Sequence, residues 1–321
     1  MIRYGDQRIE RGVALITALV FVFLAAMLAV KMQWQLTVDL SRTATLVQSD
    51  QAMEYALGAE SWAEQILRRD YQQNPNATTL AQNWAQQLPP LPVQGGQIIG
   101  HIEDLQGRFN INNLAGGQNG ASLQQFQRLL TALNLDPLLA NAVSDWVNAG
   151  TTANPLGGAK DDTYTRLQPP YLTADAPMTS ISELMLVNGV TPQVYAVLAP
   201  YVCALPVQTE PVSGSGGGAG TMIPVNINTA SGPVLMSLDP HITADVASQI
   251  IGLRGDNGFG SPQQAQQALN GIALPATAGV NSGYFLLTVT VEIGTTRVTL
   301  YSLLYRSGGK VAAVRRTLGT L

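Results

Sequence analysis

Residues 11–30 read RGVALITALVFVFLAAMLAV, and this stretch decides the N-terminal part of the fold. The run that begins at Val13 is apolar except for Thr17. About eighteen residues at a rise of about 1.5 Å each form a helix close to the minimum that crosses a bilayer core of about 30 Å. Three arginines precede the run, at positions 3, 8 and 11, and basic residues keep their end of a membrane helix in the cytoplasm. The sequence therefore predicts a single-pass helix that leads the rest of the chain out of the cytoplasm.

The glycine at position 12 lies before the apolar run. A secretory signal instead has small residues after its run, at an A-x-A-like cleavage site, and the segment beginning at Lys31 contains no such site. A peptidase at the cytoplasmic face can therefore remove residues 1–12 and leave the helix attached, with Val13 as the new N-terminus. This arrangement resembles the type IV pilin-like prepilins, whose leader is cut after glycine by prepilin peptidase. The alternative is a simple membrane anchor.

Thr17 stands at the fifth position after the predicted cleavage, where most pilin-like proteins have glutamate. The resemblance implies that this glutamate pairs with the N-terminal ammonium of a neighbouring subunit, since an unpaired buried carboxylate is costly. A threonine hydroxyl can instead bond to a carbonyl one turn back in its own helix. We interpret Thr17 as a tip-defining position, because a subunit that caps a filament has no neighbour's ammonium to neutralise.

The helical pattern continues beyond the membrane segment. Large apolar residues recur at mostly helical spacing, and no proline occurs before Pro75. These residues are Leu36, Leu40, Leu46, Met53, Leu57, Trp62, Ile66 and Leu67. The sequence predicts one spine helix over residues 13–71, half in the membrane and half amphipathic.

Strand patterns lie on both sides of a long middle region. Residues 97–104 follow a glycine turn, and residues 285–293 and 297–305 form a predicted hairpin around Gly294, with a last strand over residues 310–317. We expect these strands to pair in one antiparallel sheet, formed by residues 72–106 and 276–321. Residues 107–275 would then be a helical insertion, and the fold class is α+β.

The insertion contains two predicted pairs of short helices. Ser122 and Pro137 are placed to begin the first pair, while residues 229–235 and a second start at Thr243 form the other. Such pairs resemble helix-hairpin-helix or SAM-like units, which often bind nucleic acid. The turn at residues 238–243 has no glycine, lysine or arginine, and the net charge of the chain is -4, so the composition disfavours nucleic acid. A glycine-rich segment, Gly214 to Gly220, is a predicted flexible linker.

Five blocks of sequence resemble the general secretion pathway protein K family, the K-type minor pseudopilins of the type II secretion system. They are GRFNINNL (107–114), SDWVN (144–148), GAKDDTY (158–164), SISEL (180–184) and VNINTA (225–230). Each block is weak alone, but they occur in order and accompany the missing glutamate. The resemblance implies a non-enzymatic subunit of the inner membrane, with its bulk in the periplasm, that caps or initiates the pseudopilus tip.

The same resemblance implies partners and a processing route. The partners are the I- and J-type minor pseudopilins, the other pseudopilins, the inner-membrane assembly platform and prepilin peptidase, which would leave Val13 for methylation. Two other classes stay open: a minor pilin of a type IV pilus or DNA-uptake machine, and a membrane-anchored helix-hairpin-helix protein that binds DNA.

Side-chain oxygens of the middle region suggest a calcium site. Calcium binds six to eight oxygen ligands in flexible loops, and the family resemblance implies such a site here. The candidate ligands are Asp145, Asn148, Asp161, Asp162 and Asp175. The chain departs from the family pattern at Asn148, Gly150 and Lys160, where acids are common, and a solvated acidic loop is the alternative.

Other reactive side chains give no pattern for catalysis. His101 and His241 are far apart in sequence and have no nucleophile or metal-ligand spacing nearby. Cys203 is the single cysteine and lies in an apolar setting, so we expect a buried structural thiol and no intrachain disulfide.

Overall fold

The structure is a computed structural model that describes residues 7–115, 120–206, 222–255, 257–269, 272 and 274–319, with residues 7–12 as backbone only. The helices are α1 (Gln7–Gln73), α2 (Gly120–Ala132), α3 (Leu139–Val147), α4 (Asp161–Tyr164), α5 (Pro192–Leu198), α6 (Gly232–Leu238), α7 (Ala244–Arg254) and α8 (Pro262–Ala268). The strands are β1 (Leu91–Val93), β2 (Gly96–Asp104), β3 (Phe109–Asn110), β4 (Val202–Cys203), β5 (Val225–Asn226), β6 (Ala278–Gly279), β7 (Tyr284–Ile293), β8 (Thr296–Ser307) and β9 (Lys310–Leu318). Together they form the α+β fold that the sequence predicts.

The spine helix α1 runs without a break for 67 residues, a length of about 100 Å. Its membrane-side part is exposed, whereas the later part packs on the sheet. The buried contacts are made by Ala52, Ala56, Ala63 and Leu67, which recur at intervals of four and seven residues. Small side chains at this spacing form one stripe that lets the helix approach the sheet closely.

The main sheet has five antiparallel strands in the order β1-β2-β7-β8-β9. Alternate residues of β7, from Phe285 to Ile293, are buried against the spine helix, as the period of two in a strand requires. Strand β2 pairs directly with β7, with Ile98 opposite Val291. The helices that lie between β2 and β7 in the chain are therefore inserted into one sheet.

The insertion has its own apolar core, which extends from Phe109 to Val280. It contains two short parallel strand pairs, β3 with β4 and β5 with β6, and each first strand is followed by helices. The rings of Phe109 and Phe126 stack with centroids 5.1 Å apart and join β3 to α2. Two lobes of similar design therefore follow one another along the chain.

The two lobes share the same hydrogen-bond arrangement, in which an asparagine side chain accepts from the backbone N–H two residues later. In the first lobe the Asn110 Oδ1 atom accepts from the Asn112 backbone N–H at 3.2 Å, and in the second Asn226 accepts from Asn228 at 3.0 Å. The amide of Asn112 also donates to the carbonyl of Leu205 at 2.8 Å. Buried asparagine amides of this kind form hydrogen bonds with backbone groups that have no partner in a helix or a sheet. They therefore hold the loops in one conformation.

Two predicted helix starts are wrong in detail. Ser122 lies inside the first turn of α2, where its hydroxyl is 3.6 Å from the Met222 sulfur, instead of capping the helix. Pro137 lies in the turn before α3 and not in its first turn. In this turn the Asp136 carboxylate accepts a hydrogen bond from the Leu138 N–H at 2.9 Å. Thr243 does cap α7, as predicted. The predicted linker, Gly214 to Gly220, lies outside the described residues.

Candidate functional site

The N-terminal part of the spine helix holds the predicted processing and tip-defining positions. Gly12 and Val13 lie within α1, and Thr17 follows one turn later. The Thr17 hydroxyl donates to the Ala14 carbonyl at 3.0 Å, as expected for threonine in an apolar helix. Within the described residues, α1 is the one helix long and apolar enough to cross a membrane.

Exposed apolar side chains continue past the charged residues that follow the membrane segment. Leu36, Leu40 and Val47 are each more than half exposed, on a stretch that also contains Asp39 and Arg42. Charged residues place this stretch outside the hydrocarbon core, so lipid does not cover these side chains. Exposed apolar side chains grouped along one stretch of a helix are typical of a protein-protein contact surface.

The sheet and spine helix define which end of the molecule faces away from the membrane. The Gln48 amide oxygen accepts from the Thr296 hydroxyl at 3.2 Å, at the turn between β7 and β8. At the opposite end of these two strands, the Arg306 guanidinium lies 5.4 Å from the centre of the Tyr71 ring. Residues 48 to 71 of a helix span about 35 Å. The end of the sheet near Tyr71 is therefore the membrane-distal end.

The helical insertion joins the sheet at this membrane-distal end, and Asp104 is the centre of the junction. Its carboxylate accepts from the hydroxyls of Thr229 at 2.6 Å and Ser282 at 2.7 Å, and from the Asn226 amide at 3.0 Å. Burial raises the pKa of Asp104, and these donors oppose the rise. The partners lie 122 to 178 residues away in the chain, so no local pattern could identify them.

Arg306 is a second buried link at the same end. It donates to the Thr78 hydroxyl and the Ser282 carbonyl, each at 2.7 Å, and its guanidinium lies 4.8 Å from the centre of the Phe285 ring. Desolvation lowers the pKa of Arg306, while Asp104 and Asp70 oppose this effect. Spine, sheet and insertion therefore share one polar network, which fixes the insertion above the sheet.

The predicted calcium ligands do not meet at one point. The backbone carbonyls of Asp145 and Asn148 and the carboxylate of Asp175 converge, but on the ammonium of Lys160. The distances from Lys160 Nζ to these three oxygens are 2.6, 2.5 and 2.6 Å. Calcium would need the same space at 2.3–2.6 Å from its ligands. These three residues, as arranged, do not fit the ion.

The two remaining candidates lie elsewhere in the loop. The Asp161 carboxylate accepts from the backbone N–H and the hydroxyl of Thr173, at 2.8 and 2.7 Å, and these bonds lower the pKa of Asp161. Asp162 is exposed in the first turn of α4. Across the described residues, no three acidic, histidine or cysteine side chains are grouped to hold a metal. Calcium binding through Asp161 and Asp162 stays a prediction.

Basic side chains of the insertion serve its own backbone. Arg128 donates to the Ser237 carbonyl at 2.7 Å, and Arg254 donates to the carbonyls of Ile227 and Ala230 at 3.0 and 2.7 Å. Guanidinium groups directed inward are not presented to phosphates, which disfavours a DNA-binding surface on these helix pairs.

The cysteine is buried, and each of the two histidines contacts a neighbouring carboxylate. Cys203 is buried, its thiol lies 3.3 Å from the Leu105 carbonyl, and burial raises its pKa to about 12, as expected for an unreactive thiol. His101 contacts Glu103 at 3.2 Å and His241 contacts Asp239 at 2.8 Å, in separate parts of the molecule.

Comparison with known proteins gives concordant matches. Two family profiles described as type II secretion system (T2SS), protein K, match residues 107–207 and 225–285. The type II secretion system protein K of Klebsiella pneumoniae is 35% identical over 97% of this chain and 97% of that protein. The protein of the same name from Aeromonas hydrophila is 33% identical over 97% of this chain and 98% of that protein.

A solved structure has the same fold. A chain in the crystal structure of the GspK-GspI-GspJ complex, from the type 2 secretion system of enterotoxigenic Escherichia coli, superposes with a TM-score of 0.74. It is 25% identical to this chain and the match covers 87% of this chain and 100% of that one.

Proposed function

Because the chain belongs to the type II secretion system protein K family and is a minor pseudopilin of that system, not an enzyme, we propose that it caps or initiates the pseudopilus tip. The observation that carries this proposal is the position of the helical insertion. It sits on the membrane-distal end of the sheet, where Asn226 and Thr229 of the insertion donate hydrogen bonds to the Asp104 carboxylate. Pseudopilins stack along their spine helices, and a subunit with this bulk at its upper end leaves no room for another above it.

We further propose that the I- and J-type minor pseudopilins cover the exposed part of the spine helix. The matching crystal structure is of a complex with proteins of these two types. Leu36, Leu40 and Val47 supply an apolar surface for neighbouring helices outside the lipid. The other pseudopilins and the inner-membrane assembly platform would meet the subunit below the tip, through the same helix.

We also propose the processing and orientation that the N-terminus indicates. Prepilin peptidase would cut after Gly12 at the cytoplasmic face of the inner membrane, and Val13 would become the methylated N-terminus. The basic leader then stays in the cytoplasm and the sheet and insertion lie in the periplasm.

Labelling tests the tip position directly. Pseudopili would be assembled in cells that carry the full chain with a short epitope tag inserted at Gly214 to Gly220, and isolated filaments would be labelled with gold. We expect label at one end of each filament. Label distributed along the filament would contradict the proposal.

Crosslinking tests the partners. In a Cys203→Ala background, Leu40→Cys should crosslink through a bifunctional thiol reagent to matched cysteines in the I- or J-type helices. Leu172→Cys, an exposed position on the insertion, serves as the matched control. Equal crosslinking from both positions, or from neither, would contradict the assigned face.

A further inference from the structure

The Lys160 side chain has an unusual position for a lysine. Its side chain is only 4% exposed, and the ammonium donates to three oxygens. Lysine is rarely buried to this extent unless its charge is compensated. The structure provides that compensation through one carboxylate and two carbonyl oxygens.

The two carbonyls belong to the end of helix α3. Asp145 lies in its last turn and Asn148 is its C-terminal cap residue. The last carbonyls of a helix have no partner within the helix and carry the negative end of its dipole, which attracts a cation. Asp175 completes the cluster from the opposite side of the loop, with a positive φ of 49°.

Other contacts in the loop fit this arrangement closely. The Asp145 carboxylate accepts from the Asn154 backbone N–H at 2.8 Å, while its carbonyl accepts from Lys160. A Cβ atom at Gly158 would lie 2.1 Å from the Asp145 Oδ2 atom, so only glycine allows this approach. The ammonium therefore fills a position surrounded by fixed oxygens on three sides.

We propose that the Lys160 ammonium is a built-in cation, which takes the place that a metal ion such as calcium would hold in an oxygen cluster of this kind. Backbone carbonyls and carboxylates at 2.5–2.6 Å from one centre are the ligands of a hard cation. Here the cation is covalently part of the chain. The loop between α3 and Asp175 consequently keeps its structure without a metal at this cluster.

The proposal has a direct consequence for substitution. Lys160→Asp removes the ammonium and adds a carboxylate to a cluster that already offers three oxygens. The variant should gain calcium binding at the position that the wild-type chain fills internally. Lys160→Met keeps the length of the side chain but supplies neither the cation nor a ligand.

Thermal unfolding of the full chain in detergent tests whether Lys160 replaces a metal at the cluster and whether Lys160→Asp gains calcium binding. The wild-type protein should show no calcium-dependent rise in melting temperature that Asp175→Asn removes. Lys160→Met should melt lower in both, and Lys160→Asp should melt lower in chelator and recover in calcium, because a ligand that binds the folded state stabilises it. Lys310→Met, at the exposed lysine that begins β9, is the matched control and should melt at the same temperature as the wild type.

Terbium provides a second measurement that does not depend on the folding of Lys160→Asp. Trp146 is adjacent to Asp145, so a terbium ion bound in the cluster would emit when tryptophan is excited. Terbium emission from the wild-type protein and from Asp175→Asn should therefore be equal. A calcium-dependent rise in the wild-type melting temperature, or a terbium signal, that Asp175→Asn abolishes would overturn the proposal.

Discussion

Glu60 links the spine helix to the sheet, and its removal gives a prediction with a calculable size. The side chain is 5% exposed on the buried stripe of α1. Its carboxylate accepts from the Ser302 hydroxyl at 2.5 Å and from the Nε and Nη2 atoms of Arg316 at 2.9 and 2.8 Å. Two strands, β8 and β9, therefore bond to one residue of the helix.

The expected cost follows from these contacts. A hydrogen bond to a charged group contributes about 1.5–3 kcal/mol to stability. The side chain of Arg316 is 52% exposed, so water partly replaces the lost carboxylate and the loss falls near the lower limit. Glu60→Gln, which keeps an acceptor for Ser302, should cost about 1.5–2 kcal/mol. Glu60→Ala should cost about 3 kcal/mol, because the buried Ser302 hydroxyl then has no acceptor there.

Urea unfolding of the full chain in detergent, followed by tryptophan fluorescence, measures the change. Glu54→Gln is the matched control, since Glu54 is exposed on the same helix and the substitution should change stability by less than about 0.5 kcal/mol. Equal midpoints for Glu60→Gln and Glu54→Gln would refute the assigned role of the carboxylate.

The same residue predicts a pH dependence. Burial raises the pKa of Glu60, but the hydrogen bonds from Arg316 and Ser302 and the charge of Arg316 bring it below its ordinary value of 4.5. A lowered folded-state pKa contributes stability above the unfolded value and loses it as pH falls through the folded value. The difference between wild type and Glu60→Gln should therefore be complete above about pH 5 and shrink below 4.5. A constant difference over this range would contradict the pKa shift.

Three further substitutions, one of them with a matched control, test the N-terminus and the insertion. Gly12→Trp should leave the leader attached, and an N-terminus at Val13 by mass spectrometry would contradict cleavage after a small residue. Thr17→Leu should secrete normally at equal protein levels, since the hydroxyl bonds only within its own helix, and lost secretion would show that it makes a needed contact. Gly158→Ala should cost at least about 2 kcal/mol in urea unfolding, because its Cβ would meet Asp145, whereas Gly252→Ala, with open space on helix α7, should gain about 0.5–1 kcal/mol. Equal effects of these two substitutions would contradict the close approach.

Elements with a strong local period could be predicted from the sequence. The last strand, expected over residues 310–317, runs from Lys310 to Leu318, and the hairpin turn at Gly294 has the positive φ of 56° that favours glycine. The spine helix, expected over residues 13–71, extends to Gln73. In each case alternation or helical spacing within about ten residues carries the signal, so distant contacts are not needed.

Contacts made through backbone atoms could not be predicted in the same way. Lys160 bonds to the carbonyls of Asp145 and Asn148, and a carbonyl leaves no trace in the residue type. The sequence therefore suggested that the side chains of Asp145 and Asn148 were the ligands. Their carbonyls, not their side chains, reach the centre of the cluster. The sequence did signal a difference, because Lys160 replaces a residue that is commonly an acid in the family, and a cation is favoured at a helix C-terminus.

The order of the elements shows how a pilin-like subunit could also take the proposed role of a cap. A sheet interrupted between β2 and β7 returns to the same register after the insertion, with Asp104 opposite Phe285, so the spine packing is preserved. The inserted lobes emerge at the membrane-distal end of the sheet, away from the part of the helix that we propose for partner contact. The Asp104 and Arg306 network then holds the insertion above the sheet. A tip subunit needs both properties: an unmodified helix to join the filament from below, and a fixed mass that ends the stack above.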